Sequence, residues 1–304
     1  MISRPLSVIV TAWNCEKTIQ RCLRSVAELR PQEIVVCDPG ATDGPSFAIA
    51  RNAGLSASTQ PYVLFIDGDW IADAASVDEL IRELSTRPAH AIVVPRFMDD
   101  LGNDHAGHNV RRFPTSEALA AEFLMLHKTF GSEAVSKYRM LDFDHVTDRD
   151  IDHSCGAFIL ARREALVSVG GYDETFEGAW FEDIDLAQRL RRHGWLSRYC
   201  SSAVALHIGR ETQRHFFIER YYDAYYRSVL RYTAKYLSND YELVRMCLLA
   251  GLVSKAVFSY GLPARFRASV LRRLGIYNTD ETIQGYRGMY LRSIDMVLGM
   301  HDLC

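Results

Sequence analysis

At 304 residues, with 48% hydrophobic and 24% charged side chains, the chain has the balance of an ordinary globular protein. That length suits one large α/β domain with an appendage, or two small domains. A net charge of −3 gives no whole-chain attraction to nucleic acid, which is not expected as a partner.

The seven cysteines, at 15, 22, 37, 155, 200, 247 and 304, form no CxxC pair. This argues against a disulfide framework or a thiolate zinc site and points to a reducing, cytoplasmic setting. Met1-Ile2-Ser3-Arg4-Pro5 runs straight into a strand-like segment, without the apolar core of a signal peptide. No run approaches the ~20 apolar residues of a membrane span. The best, 246–253, is cut off by Arg245 and Lys255, so the chain is not expected to cross a membrane.

In chain order, LSVIVT at 6–11 is a β-branched run that reads as a buried strand. Asn14 is positioned to cap a following helix with Ile19, Leu23 and Val26 on one face. EIVVC at 33–37 is a second strand ending in the turn Asp38-Pro39-Gly40, and YVLFI at 62–66 is a third, stopping at Asp67-Gly68-Asp69. A helix over about 76–84 and a strand over 91–94 follow. The segment 98–152 is irregular apart from one helix over about 116–130, and reads as an acceptor- or partner-facing insertion. Beyond it come a strand at 156–161, a short helix at 162–169, a helix from Asp183 to His193, and short strands near Leu196 and Val204. After residue 210 the pattern is helical. Strands alternating with helices imply an α/β fold with a mostly parallel central sheet flanked by helices, and functional loops at the strands' C-terminal ends. The expected division is 1–210 and a C-terminal helical extension, 211–304.

Several residues could carry chemistry. Asp67-Gly68-Asp69 sets two hard oxygen donors at a strand end, where they can grip Mg²⁺ or Mn²⁺ and through it a diphosphate. Asp-Gly is also a common turn. Asp38 can accept the imide N–H of uracil or thymine, or simply cap its own Asp-Pro-Gly turn. Arg51 can pair with phosphate or with that carboxylate, or lie exposed on a helix. Glu182-Asp183 stands at a helix start, where the dipole favours negative charge and a carboxylate can take a proton from a bound hydroxyl. Capping alone explains such a pair equally well. Trp180 and Phe181 can stack on a sugar or pack their loop, and His207 can join a metal site or be structural.

In order, the chain reads VIVTAWN, VVCDPGATDG, ARNAG, YVLFIDGD, GAFILARREAL, GGYDETFEG, EDIDLAQRLRRHGW and ALHIG. This set, over residues 5–210, resembles glycosyltransferase family 2, nucleotide-sugar transferases of GT-A fold. The resemblance implies a nucleotide-sugar site of Thr11, Asp38, Arg51, Asp67, Gly68 and Asp69, with a divalent metal on Asp67, Asp69 and His207. It implies Asp183 as the base of inverting members, with Glu182 as its acidic neighbour. The stretches VRRFP at 110–114, Asp152 ahead of Gly156-Ala157, and RSVLRY at 227–232 are similar to bacterial cell-surface polysaccharide rhamnosyltransferases. The FEGAWF loop instead resembles galactosyl- and N-acetylgalactosaminyl-transferases, and Trp70 stands where a polar residue is commoner.

The expected activity is therefore metal-dependent inverting transfer from a dTDP- or UDP-linked sugar to a hydroxyl of a glycan or lipid-linked glycan. Alternatives are a retaining transferase, since FEG loops occur in retaining relatives, one directed at protein or small molecules, or a catalytically silent nucleotide-sugar-binding module. A nucleotidyltransferase would need a Gly-rich triphosphate loop that residues 8–15 lack. Arg265, Arg267, Arg272 and Arg273 beside Phe266, Val270, Leu271 and Leu274 form a basic amphipathic stretch. It suits peripheral contact with the inner face of the plasma membrane, or packing on its own domain or a homodimer partner.

Overall fold

The computed structural model describes residues 3–40, 46–104, 109–178, 180–208, 218–261 and 280–300. The turn Thr42-Asp43-Gly44 and the basic stretch 263–274 lie outside the described residues. The chain divides into two compact units, one of residues 1–113 and 136–215 and the other of residues 114–135 and 216–304.

The first unit is built on strands β1 (Arg4–Thr11), β2 (Pro31–Cys37), β3 (Tyr62–Asp67), β4 (Trp70–Ala72), β5 (His90–Asp99), β6 (Val110–Arg111), β7 (Arg149–Ile151), β8 (His153–Ser154), β9 (Phe158–Arg162) and β10 (Leu196–His207). Its helices are α1 (Ile19–Glu28), α2 (Phe47–Ala57), α3 (Ala74–Thr86), α4 (Arg163–Ser168) and α5 (Glu182–Arg192). The main sheet has the order β2-β1-β3-β9-β5-β10-β4, with β7 added beside β10, while β6 and β8 form a separate ribbon.

The central strands are apolar on both faces because helices cover both. Val8, Val10, Leu64 and Ile66 pack against Cys22 and Val26 of α1 and Val77 and Leu80 of α3. On the other face Ile9, Phe65 and Ile92 meet Ala48 and Leu55 of α2, Leu166 of α4, and Leu186 and Leu190 of α5.

The sheet is mixed. β1 pairs in parallel with β2 and β3, and β5 with β10. β9 enters antiparallel between β3 and β5, because the chain comes back to the sheet after the long excursion following β5. The expected short strands near 196 and 204 are one continuous strand, with an irregular register between Cys200 and Val204. Asn14 does not cap α1: it sits at φ 49, and the helix starts later behind Thr18, without a side-chain cap.

The second unit gathers the helices Ser116–Phe123, Ile218–Tyr236, Tyr241–Gly261 and Asp280–Gly299. Part of the 98–152 insertion thus belongs with the C-terminal helices. Gly251 explains how close it comes, since a Cβ there would lie 2.2 Å from the Phe123 carbonyl oxygen. Ser116 Oγ donates to Asp240 at 2.7 Å, tying the insertion to the same unit. No helix among the described residues is long and apolar enough to cross a membrane.

Candidate active site

The C-terminal edge of the sheet in the first unit brings together most of the residues singled out from the sequence. Thr11 ends β1 opposite Asp67, which ends β3, and the Gly68 N–H donates to the Thr11 carbonyl at 2.9 Å. Asp67 N–H donates to the Ala157 carbonyl, holding the acidic turn against the entry to β9. Gly68 has a steric reason to be glycine: a Cβ there would stand 2.5 Å from Cys15 Sγ.

Beyond the turn, the short antiparallel pairing of β4 with β10 sets Trp70 opposite His207. The two rings stack at 4.8 Å with a 23° tilt, and Trp70 is backed by Phe97 at 4.4 Å. Trp70 is thus a buried platform that holds the histidine. His207 Nε2 lies 3.1 Å from Asp69 Oδ2. A carboxylate oxygen beside an imidazole nitrogen is a donor pair that suits Mn²⁺. Asp67 turns the other way, toward Arg51, and among the described residues no three His, Cys, Asp or Glu side chains gather as a full cation site. The residues therefore fit a cation held partly by protein, through Asp69 and His207, with further oxygens coming from a diphosphate.

Arg51 is buried, at 2% exposure, rather than exposed on its helix. Its guanidinium donates to Glu182 Oε1 at 2.9 Å and to Asp67 Oδ1 at 3.3 Å. It lies over the Phe47 and Tyr172 rings at 5.2 and 5.6 Å. Gly156 makes the room, because a Cβ there would approach Arg51 Nη1 to 2.7 Å. Burial alone would ease the proton off Arg51, but Asp67, Tyr172 and Glu182 hold it more firmly than usual. Burial raises Asp67 to about 6, with Arg51 opposing and Asp69 adding to the rise. Burial and then Asp183 raise Glu182, again against Arg51.

The loop before α5 is strained. Gly178 has φ 76, and two non-glycine residues in succession, Trp180 at φ 91 and Phe181 at φ 73, are left-handed. Such conformations cost energy and concentrate at functional sites. Phe181 is buried at 2% exposure and anchors the loop, while Trp180 is 38% exposed. The strain delivers α5 with Glu182 and Asp183 in its first turn. Asp183 Oδ2 accepts the Gly156 N–H at 3.0 Å and Oδ1 accepts the Ile184 N–H at 2.8 Å. Each oxygen keeps a further lone pair for another donor.

Asp38 directly follows the end of β2 at the same sheet edge, is exposed, and accepts the Gly40 N–H at 2.8 Å. Gly156, Tyr172 and His153 also stand at this edge, and the sequence does not mark them as site residues. A glycine needed only to clear a guanidinium from residue 51 leaves no local signal.

An α/β sheet carrying an acidic turn after one strand and a carboxylate pair at a helix start, on one edge, is the GT-A glycosyltransferase arrangement. The mannosyltransferase PcManGT from Pyrobaculum calidifontis, solved in complex with GDP-Man and Mn²⁺, shares this fold. It matches with a TM-score of 0.52 and 17% identity, covering 99% of this chain and 89% of that one. The chain belongs to the family described as Glycosyltransferase like family 2, whose sequence model matches residues 5–208. It is a glycosyltransferase related to rhamnosyltransferases. The N-acetylglucosaminyl-diphospho-decaprenol L-rhamnosyltransferase of Mycobacterium tuberculosis is 25% identical over 283 residues, covering 76% of this chain and 89% of the relative. Rhamnosyltransferase WbbL of Escherichia coli K12 is 25% identical over 174 residues, or 57% of this chain and 62% of the relative.

Proposed function

We propose that the chain transfers a sugar, with inversion and with the help of a divalent cation, from a nucleoside-diphosphate sugar to a hydroxyl of a lipid-linked glycan precursor. L-Rhamnose is the leading donor sugar, because a relative that matches over 76% of this chain, and the WbbL enzyme over 57%, are named for it. The observation that carries the reading is Asp183. It sits at the N-terminus of α5 on the same sheet edge as the Asp69–His207 pair, with lone pairs to spare.

In this reading Asp38 and Thr11 receive the nucleotide at the ends of β2 and β1. Asp69 and His207 hold a Mn²⁺ or Mg²⁺ ion, which offsets charge gathering on the departing diphosphate. Asp183 accepts the acceptor hydroxyl's proton as that oxygen attacks the anomeric carbon. Arg51 pairs with Glu182 and Asp67, so these two carboxylates repel the phosphates less. Trp180 offers its exposed indole to the apolar face of a sugar ring.

The test pairs binding with turnover. Thermal shifts with UDP-, dTDP- and GDP-sugars, with and without Mn²⁺, identify the donor class and the metal requirement. Asp183→Asn should cost on the order of 10²–10⁴ in rate while leaving the donor shift intact. Full activity in that variant sinks the base assignment. Turnover that survives exhaustive chelation removes the metal role, and NMR of the product's anomeric configuration decides inversion.

A further inference from the structure

His153 is buried at 4% exposure on β8, opposite Arg111 of β6. Its ring stacks on Phe113 at 6.0 Å and 18°, as an apolar aromatic would. Yet neither Nδ1 nor Nε2 makes a well-formed hydrogen bond among the described residues, although the adjacent Ser154 backbone lies close enough to favour a proton on the ring. A neutral imidazole always carries one N–H donor and one lone pair, and leaving both dry costs free energy. Buried polar atoms without partners call for an unseen one.

The ring lines a cavity of about 10 Å³, and Asp183 lines the same cavity together with Ser154, Ser197, Ile159 and Leu186. That volume admits a single water. Ser154 Oγ is already engaged with Asn109 Oδ1 at 3.1 Å. Each Asp183 oxygen accepts one backbone N–H, from Gly156 or Ile184, and has room for another donor.

We propose that this cavity holds one ordered water joining the His153 imidazole to the Asp183 carboxylate, so that His153 is a positioning residue that takes up the proton from Asp183 during transfer. The inference rests on the reading of Asp183 as base. The acceptor O–H breaks and its proton goes to an Asp183 oxygen. Protonated Asp183 passes a proton to the water as the water gives one of its own to the imidazole's lone-pair nitrogen. The carboxylate is restored, an imidazolium is formed, and the water is unchanged. As product leaves, the imidazolium hands the proton back through the water to Asp183, which is partly exposed and releases it to solvent.

The surroundings suit a ring that starts neutral and is charged only transiently. Burial pushes His153 below its ordinary value, and Arg111 from the facing strand acts the same way. Asp183 from α5 and Asp152 on its own segment favour the charged form.

A high-resolution crystal structure of the whole chain should show one water within hydrogen-bond distance of a His153 ring nitrogen and an Asp183 oxygen. In ¹⁵N-histidine NMR, the His153 titration midpoint should fall in Asp183→Asn, which removes a charge that favours the imidazolium. His153→Phe keeps the stack on Phe113 and should lower kcat about tenfold to a hundredfold at unchanged donor KM. His153→Gln, which restores a donor and an acceptor, should recover part of that loss. A dry cavity, or a His153 titration indifferent to Asp183→Asn, overturns the relay while leaving an inactive Asp183→Asn to support the base. Full activity in Asp183→Asn overturns both.

Discussion

Where β1, β2 and β3 begin, Glu33 accepts hydrogen bonds from Ser7 Oγ at 2.5 Å, the Thr59 N–H at 2.8 Å, the Thr59 hydroxyl and the Gln60 amide. Nearby, Glu83 is held by Arg87 at 2.9 Å and Arg198 at 2.7 Å, and Arg162 closes on the Leu84 carbonyl. Where the same strands end, Arg51 Nε, Glu182 Oε2 and Tyr172 Oη are buried without partners among the described residues. The carboxylates record the contrast. Bonds from Ser7 and then Thr59 pull Glu33 down to about 2. Burial pushes Glu83 upward, but Arg198 and Arg87 outweigh it and the net shift is down. At the other edge Asp67 and Glu182 are both pushed up. One edge is built for stability, and the other holds unsatisfied charge and strained backbone where ligand would be bound.

The sharpest way to break that contrast is to remove its hub. Arg51→Met leaves Asp67 and Glu182 facing each other without a cation, and losing one member of a buried ion pair costs about 3–5 kcal/mol. Both carboxylates have folded-state values above those of the unfolded chain, so the native state binds more protons and stability falls as pH rises through the folded values. Urea unfolding at pH 8 should therefore show a larger penalty than at pH 5.5, just below the Asp67 value of about 6. Equal penalties at the two pH values would mean the carboxylates find other partners.

Arg51 also marks the limit of what the sequence discloses. Asp67-Gly68-Asp69, Glu182-Asp183 and His207 are legible because each is a chemically distinctive type at the end of a recognisable strand or the start of a helix. Their order adds what each lacks alone. The role of Arg51 as a tie is not legible, because its partner Glu182 lies 131 residues away and the cavity it fills depends on Gly156. Only the folded sheet brings the three together. The antiparallel entry of β9 escapes for a related reason: an apolar run buried on both faces carries no sign of its direction. His153 escapes because its neighbours say only that it is buried. A helix over about 116–130 is legible, but the structure ends it at Phe123, just before Met125 turns left-handed at φ 56, and its place with the C-terminal helices depends on Gly251, far along the chain.

A milder change tests the strain itself. Trp180 sits at φ 91, where an L-residue pays roughly 1–2 kcal/mol that glycine does not. Trp180→Gly should raise folding stability by about 1 kcal/mol, reduced by glycine's greater freedom in the unfolded chain. If the indole stacks on a sugar, the same variant should raise the KM for acceptor or donor by about tenfold or less. More stability with weaker substrate binding would tie the strain to function. More stability with unchanged kinetics would make the loop a packing device only.

The smallest expected effect lies at the opposite edge, and it completes the comparison. Glu33→Gln keeps the shape of the clamp between β1, β2 and the Thr59-Gln60 turn but removes the charge that its donors address. Hydrogen bonds to a charged acceptor contribute on the order of 1 kcal/mol more than neutral ones. Here the folded value lies below the unfolded one, so the contribution is fully present above the ordinary carboxylate value and is lost as pH falls toward about 2. The stability gap between the native chain and Glu33→Gln should thus be constant near neutrality and close below about pH 4.5. This is the opposite slope to that set by Asp67 and Glu182. Turnover in Glu33→Gln should match the unaltered chain at neutral pH, since Glu33 touches neither the acidic turn nor α5. A loss of activity there would mean that the two edges are mechanically coupled through β1 and β3, and that the division between a stabilising edge and a working edge is not real.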